Sequence, residues 1–270
     1  MLDVVPELPA ESGLVNLLGA DLPHDGDSEL SALLTGNGFR IQELPRCERY
    51  EDFLRFGAGS LNLVTYPSFV YGAEGFSERL GRPMLYLPPS THYEEIDREL
   101  SALAGAIGAA SPDTSGLRRD CEQALEETRI ALDGTPVYLD YIAHTRPLGL
   151  ARLFLEHGIR VERVYIDVIG GEEEQDFRWL QENAPELMLY STIRPGMRVL
   201  PRGGKHVLAI GPKAAYYADT PYFVDMVECG GTWGYTGIIK LCRRIREALG
   251  EKKDLRDHVI RKGLGCASLI

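Results

Sequence analysis

The feature that most constrains this chain is a recurring unit: a short apolar run, a glycine or proline stop, then an amphipathic helix. The unit is densest over 207–244. An apolar, β-rich run at 207–210 stops at Gly211-Pro212, and 214–218 makes a short helix. A second apolar run covers 222–227. Cys229-Gly230-Gly231-Thr232 then opens a helix that carries Ile238, Ile239, Leu241 and Cys242 among Lys240, Arg243 and Arg244. Strands that end in glycine turns before helices put backbone N–H groups at the carboxyl edge of a parallel sheet, where open α/β sheets bind ligands.

The same unit can be followed from the start of the chain. Strands are predicted over 15–19, 39–44, 61–65 and 83–87, with helices over 29–35, 49–56, 69–80 and 93–107. Ser28 suits the N-cap of the first helix, and Gly36-Asn37-Gly38 ends it. After a small, polar connection, 117–132 reads as a helix bridging two domains. Strands then follow over 136–141, 160–168, 187–190, 207–210 and 222–227, with helices over 147–157, 172–183, 214–218 and up to 249. Pro147 suits a first helical position. The stretch 196–204 reads as an exposed basic loop or hairpin, and 254–262 as a last helix. The fold class is therefore α/β: two Rossmann-like three-layer domains with mainly parallel sheets. The first is expected over 12–112, the bridging helix over 113–133, the second domain over 134–250, and a C-terminal helix and tail over 251–270.

Charge and cysteine usage exclude some functions. The net charge is −11 over 270 residues, which would repel a phosphate backbone, so no nucleic-acid partner is expected. A local basic patch remains open at Arg194, Arg198, Arg202 and Lys205. No apolar run approaches the roughly 20 residues of a membrane span, and the N-terminus does not resemble a signal peptide. Five scattered cysteines (47, 121, 229, 242 and 266) form no disulfide framework, which points to the cytoplasm.

Candidate ligand-binding residues cluster at predicted strand ends. His144 and Arg146 follow the strand over 136–141 and can bind a carboxylate or phosphate; equally, they can cap the helix at Pro147. His92 follows the strand ended by Pro88-Pro89. Lys213 follows Gly211-Pro212 and can meet an anion at a helix start. Glu228 can act as acid or base or hold a loop, and Gly230, Gly231 and Thr232 can cradle a ligand or supply tight turns. Cys229, beside a helix start, is the one candidate metal ligand, as a thiolate. It would need three more donors to hold a cluster. Cys121 and Cys242 read as core, and Cys47 and Cys266 as loop and tail. His24, His157, His206 and His258 read as solvated or satisfied.

Three blocks in order resemble the nitrogenase component 1 family. The first is VNLLG, then LLTGNGF, then GSLNLVTYPSFVYGAEGFSERLGRPMLYLP. The second is GTPVYLDYIAHTRPLGLARLFLEHGIRVERVYID. The third is IGPKAAYYADTPYFVDMVECGGTWGYTGIIKLCRRI. The resemblance covers about 14–249. It implies an oxidoreductase fold of several α/β domains, of which this chain matches the second and third. The first domain of such proteins carries the cysteines of a cluster held between subunits. A ligand cysteine of molybdenum–iron proteins matches Tyr66, whose phenol, with a pKa near 10, is a poor ligand when neutral. No histidine lies between Asp219 and Gly237, where the second ligand would fall.

The resemblance therefore implies a subunit acting with partners: a related subunit in a homo- or hetero-oligomer that supplies iron–sulfur ligands, and an iron–sulfur ATPase that supplies electrons. No cofactor of the chain alone follows, and an iron–sulfur cluster is expected only with a partner. A second reading is a non-catalytic module that holds a metal-cluster or tetrapyrrole precursor in a cleft between the two sheets. A third is that the chain is an excised portion of a longer protein.

Overall fold

The computed structural model describes residues 2–201 and 206–256. Arg202, Lys205, His258, Cys266 and most of the helix expected over 254–262 lie outside the described residues. The chain forms two compact units. One comprises residues up to Gly116 together with Gly231–Gly237; the other comprises Leu117–Gly230 and the residues from Ile238 onward.

In the first unit, strands β1 (Glu11–Leu18), β2 (Arg40–Glu43), β3 (Gly59–Val64) and β4 (Met84–Tyr86) alternate with helices α1 (Glu29–Gly36), α2 (Tyr50–Leu54), α3 (Val70–Leu80) and α4 (Tyr93–Ile107). The sheet is parallel, in the order β2-β1-β3-β4. β1 begins earlier than its apolar run. Its register on β3 shifts between Glu11 and Val15, and Gly13 supplies the positive φ of 77° that such an irregularity needs. Register is also fixed by polar pairing inside the sheet: Asn16 donates to Asn62 Oδ1 at 2.8 Å, directly across β1 and β3, and Asn62 donates to Ser77 Oγ at 2.8 Å. A one-residue slip would leave these buried amides unpaired. Apolar packing of Leu18, Val64, Ala73, Phe76 and Leu80 seats α3 on the sheet.

In the second unit, α5 (Ser115–Leu132) leads into β5 (Val137–Asp140), α6 (Pro147–Glu156), β6 (Val161–Tyr165), α7 (Glu174–Asn183), β7 (Met188–Tyr190), β8 (Leu208–Ile210), α8 (Pro212–Ala218) and β9 (Phe223–Val224). Helix α9 (Gly234–Gly250) follows. The sheet is parallel, in the order β7-β6-β5-β8-β9. Tyr138, Tyr165, Ala209 and Phe223 pack with Ala214, Ala215 and Tyr217 of α8, so small residues on the helix let it lie close to aromatic strands. Cys121 and Cys242 are buried, as expected for core cysteines.

Three local expectations differ from the structure. The helix over 49–56 stops at Leu54 and tightens into a 3-10 turn, Arg55–Ala58. The basic stretch after β7 contains a 3-10 turn, Pro195–Val199. The last helix starts at Gly234 rather than at Cys229, because Glu228, Cys229, Gly230 and Gly231 all have left-handed φ values of 47–73°. Among the described residues, no helix is long and apolar enough to cross a membrane.

Candidate functional site

In the second unit, the strand order reverses between β5 and β8, and the carboxyl ends of those strands border the position where such sheets hold ligands. Here that position holds the chain's own Asp140, the last residue of β5. Its Oδ1 accepts the N–H groups of Ile142 and Ala143, both at 2.9 Å, and its Oδ2 accepts that of Ala214 at 2.8 Å. Gly211 makes room for it: φ is 103°, and a Cβ there would lie 2.3 Å from Asp140 Oδ2. Burial pushes the Asp140 carboxyl up to about 6, against the pull of these N–H groups.

The start of α6 is filled in the same way. Glu173 Oε1 accepts the Leu148 N–H at 2.6 Å and lies 3.4 Å from the Gly149 nitrogen, so the carboxylate sits at the positive end of the helix. Burial raises the Glu173 carboxyl to about 7, although the two N–H groups and Arg146 oppose it. Arg146 is itself buried and donates to the Glu172 carbonyl at 2.9 Å. The Arg146 N–H donates to His144 Nδ1 at 3.0 Å. Burial and the nearby guanidinium hold His144 down to about 4, so it is neutral at physiological pH. In this setting His144 and Arg146 shape the β5–α6 turn.

These raised carboxyls give the fold a pH dependence. A buried acid with a raised pKa contributes stability that is fully present below its unfolded value, and loses it as pH rises through its folded value. Stability is therefore expected to fall between about pH 4 and 7, the Asp140 part complete near pH 6 and the Glu173 part near pH 7. The Glu173 part is about 3 kcal/mol. Thermal melts across this range would show the slope. Glu173→Gln, which keeps an oxygen for Leu148, should flatten its upper half; an unchanged slope would mean that Glu173 does not titrate there.

Lys213 extends along the same edge. Its Nζ donates to the Tyr141 hydroxyl at 2.5 Å and lies 3.3 Å from Thr192 Oγ1. Thr192 Oγ1 donates to Asp167 Oδ2 at 2.7 Å, and the Thr192 N–H donates to Oδ1 at 2.5 Å. Burial pushes Asp167 up, but donation from Thr192, Ile193 and Tyr141 outweighs it and leaves the carboxyl below its usual range. Lys213, Tyr141, Thr192 and Asp167 thus form one hydrogen-bonded set at the ends of β5, β6, β7 and β8. The anion at the start of α8 is Asp140, while the Lys213 ammonium turns to a phenol.

The left-handed turn after β9 is tied to the β5–α6 turn: the Glu228 N–H donates to Ile142 O at 2.7 Å and the Cys229 N–H to Ala143 O at 2.8 Å. Cys229 is buried, with Sγ 3.8 Å from Thr145 Oγ1, and burial pushes its thiol up to about 11. With no helix start at Cys229 and no solvent, the expected thiolate is not favoured. Gly230 faces Arg244, whose Nη1 would lie 2.3 Å from an added Cβ.

In the first unit, Tyr66 is half-buried and extended just after β3, and its carbonyl accepts the Phe69 N–H at 3.1 Å. Phe69 lies over Gly19, whose φ of 96° and added Cβ at 2.5 Å from Phe69 Cβ leave no space for a side chain. His92, also half-buried, is the N-cap of α4; its N–H donates to Ser90 Oγ at 3.1 Å. Gly231 and Thr232 belong to this unit. The Gly231 carbonyl accepts the Asp25 N–H at 2.9 Å, and Thr232 Oγ1 would lie 3.2 Å from a Cβ at Gly237. The start of α9 is filled by Glu29, whose Oε1 accepts the Thr236 N–H at 2.6 Å and hydroxyl at 2.9 Å. His24 is buried, with Nε2 2.8 Å from Ser28 Oγ.

Of the candidate residues, Tyr66, His92, Gly231 and Thr232 lie in the first unit, and His144, Arg146, Lys213, Glu228, Cys229 and Gly230 in the second. Among the described residues, no three His, Cys, Asp or Glu side chains converge as a metal site requires. With the Cys229 thiol protonated as well, the described residues do not fit an iron–sulfur cluster on their own. Asp140, Glu173, Asp167 and Glu29 are the residues that sequence reasoning missed. The one available signal was an acid ending the apolar run VYLD, two residues before the loop that carries His144 and Arg146.

The sequence profile described as "Nitrogenase component 1 type Oxidoreductase" matches residues 1–249. The chain belongs to that family. Among solved structures, one described as "Nitrogenase Cp1 at pH 6.5" is 18% identical with a TM-score of 0.57, covering 95% of this chain and 62% of that chain. Another, "Nitrogenase Cp1 at pH 5", is 11% identical with a TM-score of 0.55, covering 91% and 58%. No curated protein matches. At these identities the structures show a shared fold, and this nitrogenase component 1-type chain spans about three fifths of their length. The family's α/β architecture agrees with the two parallel sheets.

Proposed function

We propose that this chain is a nitrogenase component 1-type oxidoreductase subunit that works with a partner supplying iron–sulfur cluster ligands, and that receives electrons from an iron–sulfur ATPase. The observation that carries the reading is the family match over 1–249, combined with the burial of Cys229 beside Thr145. A subunit of this type whose candidate thiol is sealed and protonated needs donors from another chain. The described cysteines are all free thiols, which fits a reducing cytoplasm.

The test is anaerobic purification of the chain alone and together with a related cysteine-bearing subunit. Iron and acid-labile sulfide are expected in the pair and not in the single chain. A stoichiometric cluster in the chain alone, or failure of any related subunit to bind, would overturn the reading.

The hydrogen-bonded set around Lys213 favours a second reading, in which the chain holds a tetrapyrrole or metal-cluster precursor. An absorbance titration should then show binding well below millimolar, and Lys213→Met should weaken it. Binding no tighter than millimolar, worth about 4 kcal/mol, would remove this reading.

A further inference from the structure

Arg163 and Tyr165 stand two residues apart on β6 and therefore share one face of the second sheet. Register puts Tyr138 of β5 beside Arg163 and Tyr190 of β7 beside Tyr165. The result is a tyrosine clamp around a cation. The Arg163 guanidinium carbon lies 4.9 Å from the centre of the Tyr138 ring and 5.4 Å from that of Tyr190. Tyr165 is fully buried, and its ring stacks on Tyr190 at 5.7 Å and on Tyr217 of α8 at 5.1 Å. These rings fix the guanidinium in place but offer it no hydrogen-bond acceptor.

The Tyr165 hydroxyl lies beside the guanidinium. Yet neither that hydroxyl nor Arg163 Nε, both buried, finds a hydrogen-bond partner among the described residues. Burial pushes the phenol up to about 12, so it keeps its proton and can only be satisfied as a donor by an acceptor nearby. Burial pulls the guanidinium down, but the three tyrosines outweigh it and hold Arg163 above its usual range, so it stays charged. The adjacent carboxylate, Glu162, turns to Arg160 at 2.5 Å and to the Tyr138 hydroxyl at 3.4 Å. Two buried donors side by side, one of them charged, call for a shared acceptor. A water would add two more hydrogens to a place already short of acceptors. An anion adds none and also offsets the buried charge. We propose that Arg163 Nε and the Tyr165 hydroxyl bind a small monovalent anion of the chloride class within the tyrosine clamp on this face of the second sheet.

The direct readout is the linewidth of the chloride NMR signal, which broadens when the ion exchanges with a site on the full chain. Wild type is expected to broaden it and Arg163→Met to abolish the effect. Tyr165→Phe should weaken chloride binding about tenfold, the worth of one hydrogen bond to a charged group. A second readout is the melting temperature in sodium chloride against sodium gluconate at equal ionic strength, where screening is the same. Chloride should raise it for wild type and not for Arg163→Met, because an ion held only by the folded chain stabilises it. Should Arg163→Met not fold, Tyr165→Phe, which keeps the ring and its stacking, decides alone. With no anion bound, Tyr165→Phe would remove an unpaired hydroxyl and leave stability equal or higher in both salts. That result, or wild-type broadening no greater than that of either variant, would overturn the proposal.

Discussion

Trp233→Ala is expected to destabilise the first unit by about 4 kcal/mol, the cost of removing a buried indole and leaving its cavity. Trp233 is 1% exposed, and its Nε1 donates to the Leu87 carbonyl at 3.0 Å. Its neighbours in sequence are held just as firmly. The Tyr235 hydroxyl donates to Asp97 at 2.9 Å, its ring lies 5.2 Å from that of Tyr93, and Thr236 is held by Glu29. A segment more than a hundred residues beyond Gly116 therefore completes this unit's packing. Trp233→Phe keeps most of the apolar volume and removes only the N–H donor, so it should cost about 1–2 kcal/mol. Denaturant midpoints followed by far-UV circular dichroism measure both. A Trp233→Ala loss below about 1 kcal/mol would mean that Gly231–Gly237 only rests on the unit.

The contribution of Gly231–Gly237 marks the limit of what the sequence shows. The strands were legible because each is a compact apolar run closed by glycine or proline, and both sheets are parallel as the intervening helices require. That a glycine turn after β9 would carry the chain into the first unit was not legible. The contacts that bind Trp233 to Leu87 and Thr236 to Glu29 join residues over 140 positions apart, and nothing local marks them. Cys229 shows a second limit. Its place before two glycines reads as a helix start that would stabilise a thiolate. Four successive left-handed residues turn it inward instead, and burial reverses the expected ionisation. Lys213 was legible as a strand-end cation. Its partners were not, because Tyr141 and Thr192 reach it from the ends of other strands.

Asp140 and Gly211 should behave as one device. Asp140→Ala leaves the N–H groups of Ile142, Ala143 and Ala214 without their acceptor, and at about 1–3 kcal/mol for each buried orphan the expected loss is about 4 kcal/mol, since water can reach some of them. Gly211→Ala fails for two reasons. Its φ of 103° and ψ of 156° suit glycine alone, and its new methyl would stand 2.3 Å from the carboxylate. The loss should be as large as that of Asp140→Ala. If the two residues work as argued, the double variant loses clearly less than the sum. Once the carboxylate is gone the methyl enters vacated space, and only the backbone strain of about 1–3 kcal/mol is added. The cycle can be read from denaturant midpoints, with Gly211→Ala measured first in the Asp140→Ala background should the single variant not fold. Strict additivity would mean that Gly211 serves the turn alone. Sub-additivity would mean that glycine occupies this strand end because an aspartate fills the position where a sheet of this order would otherwise receive a ligand.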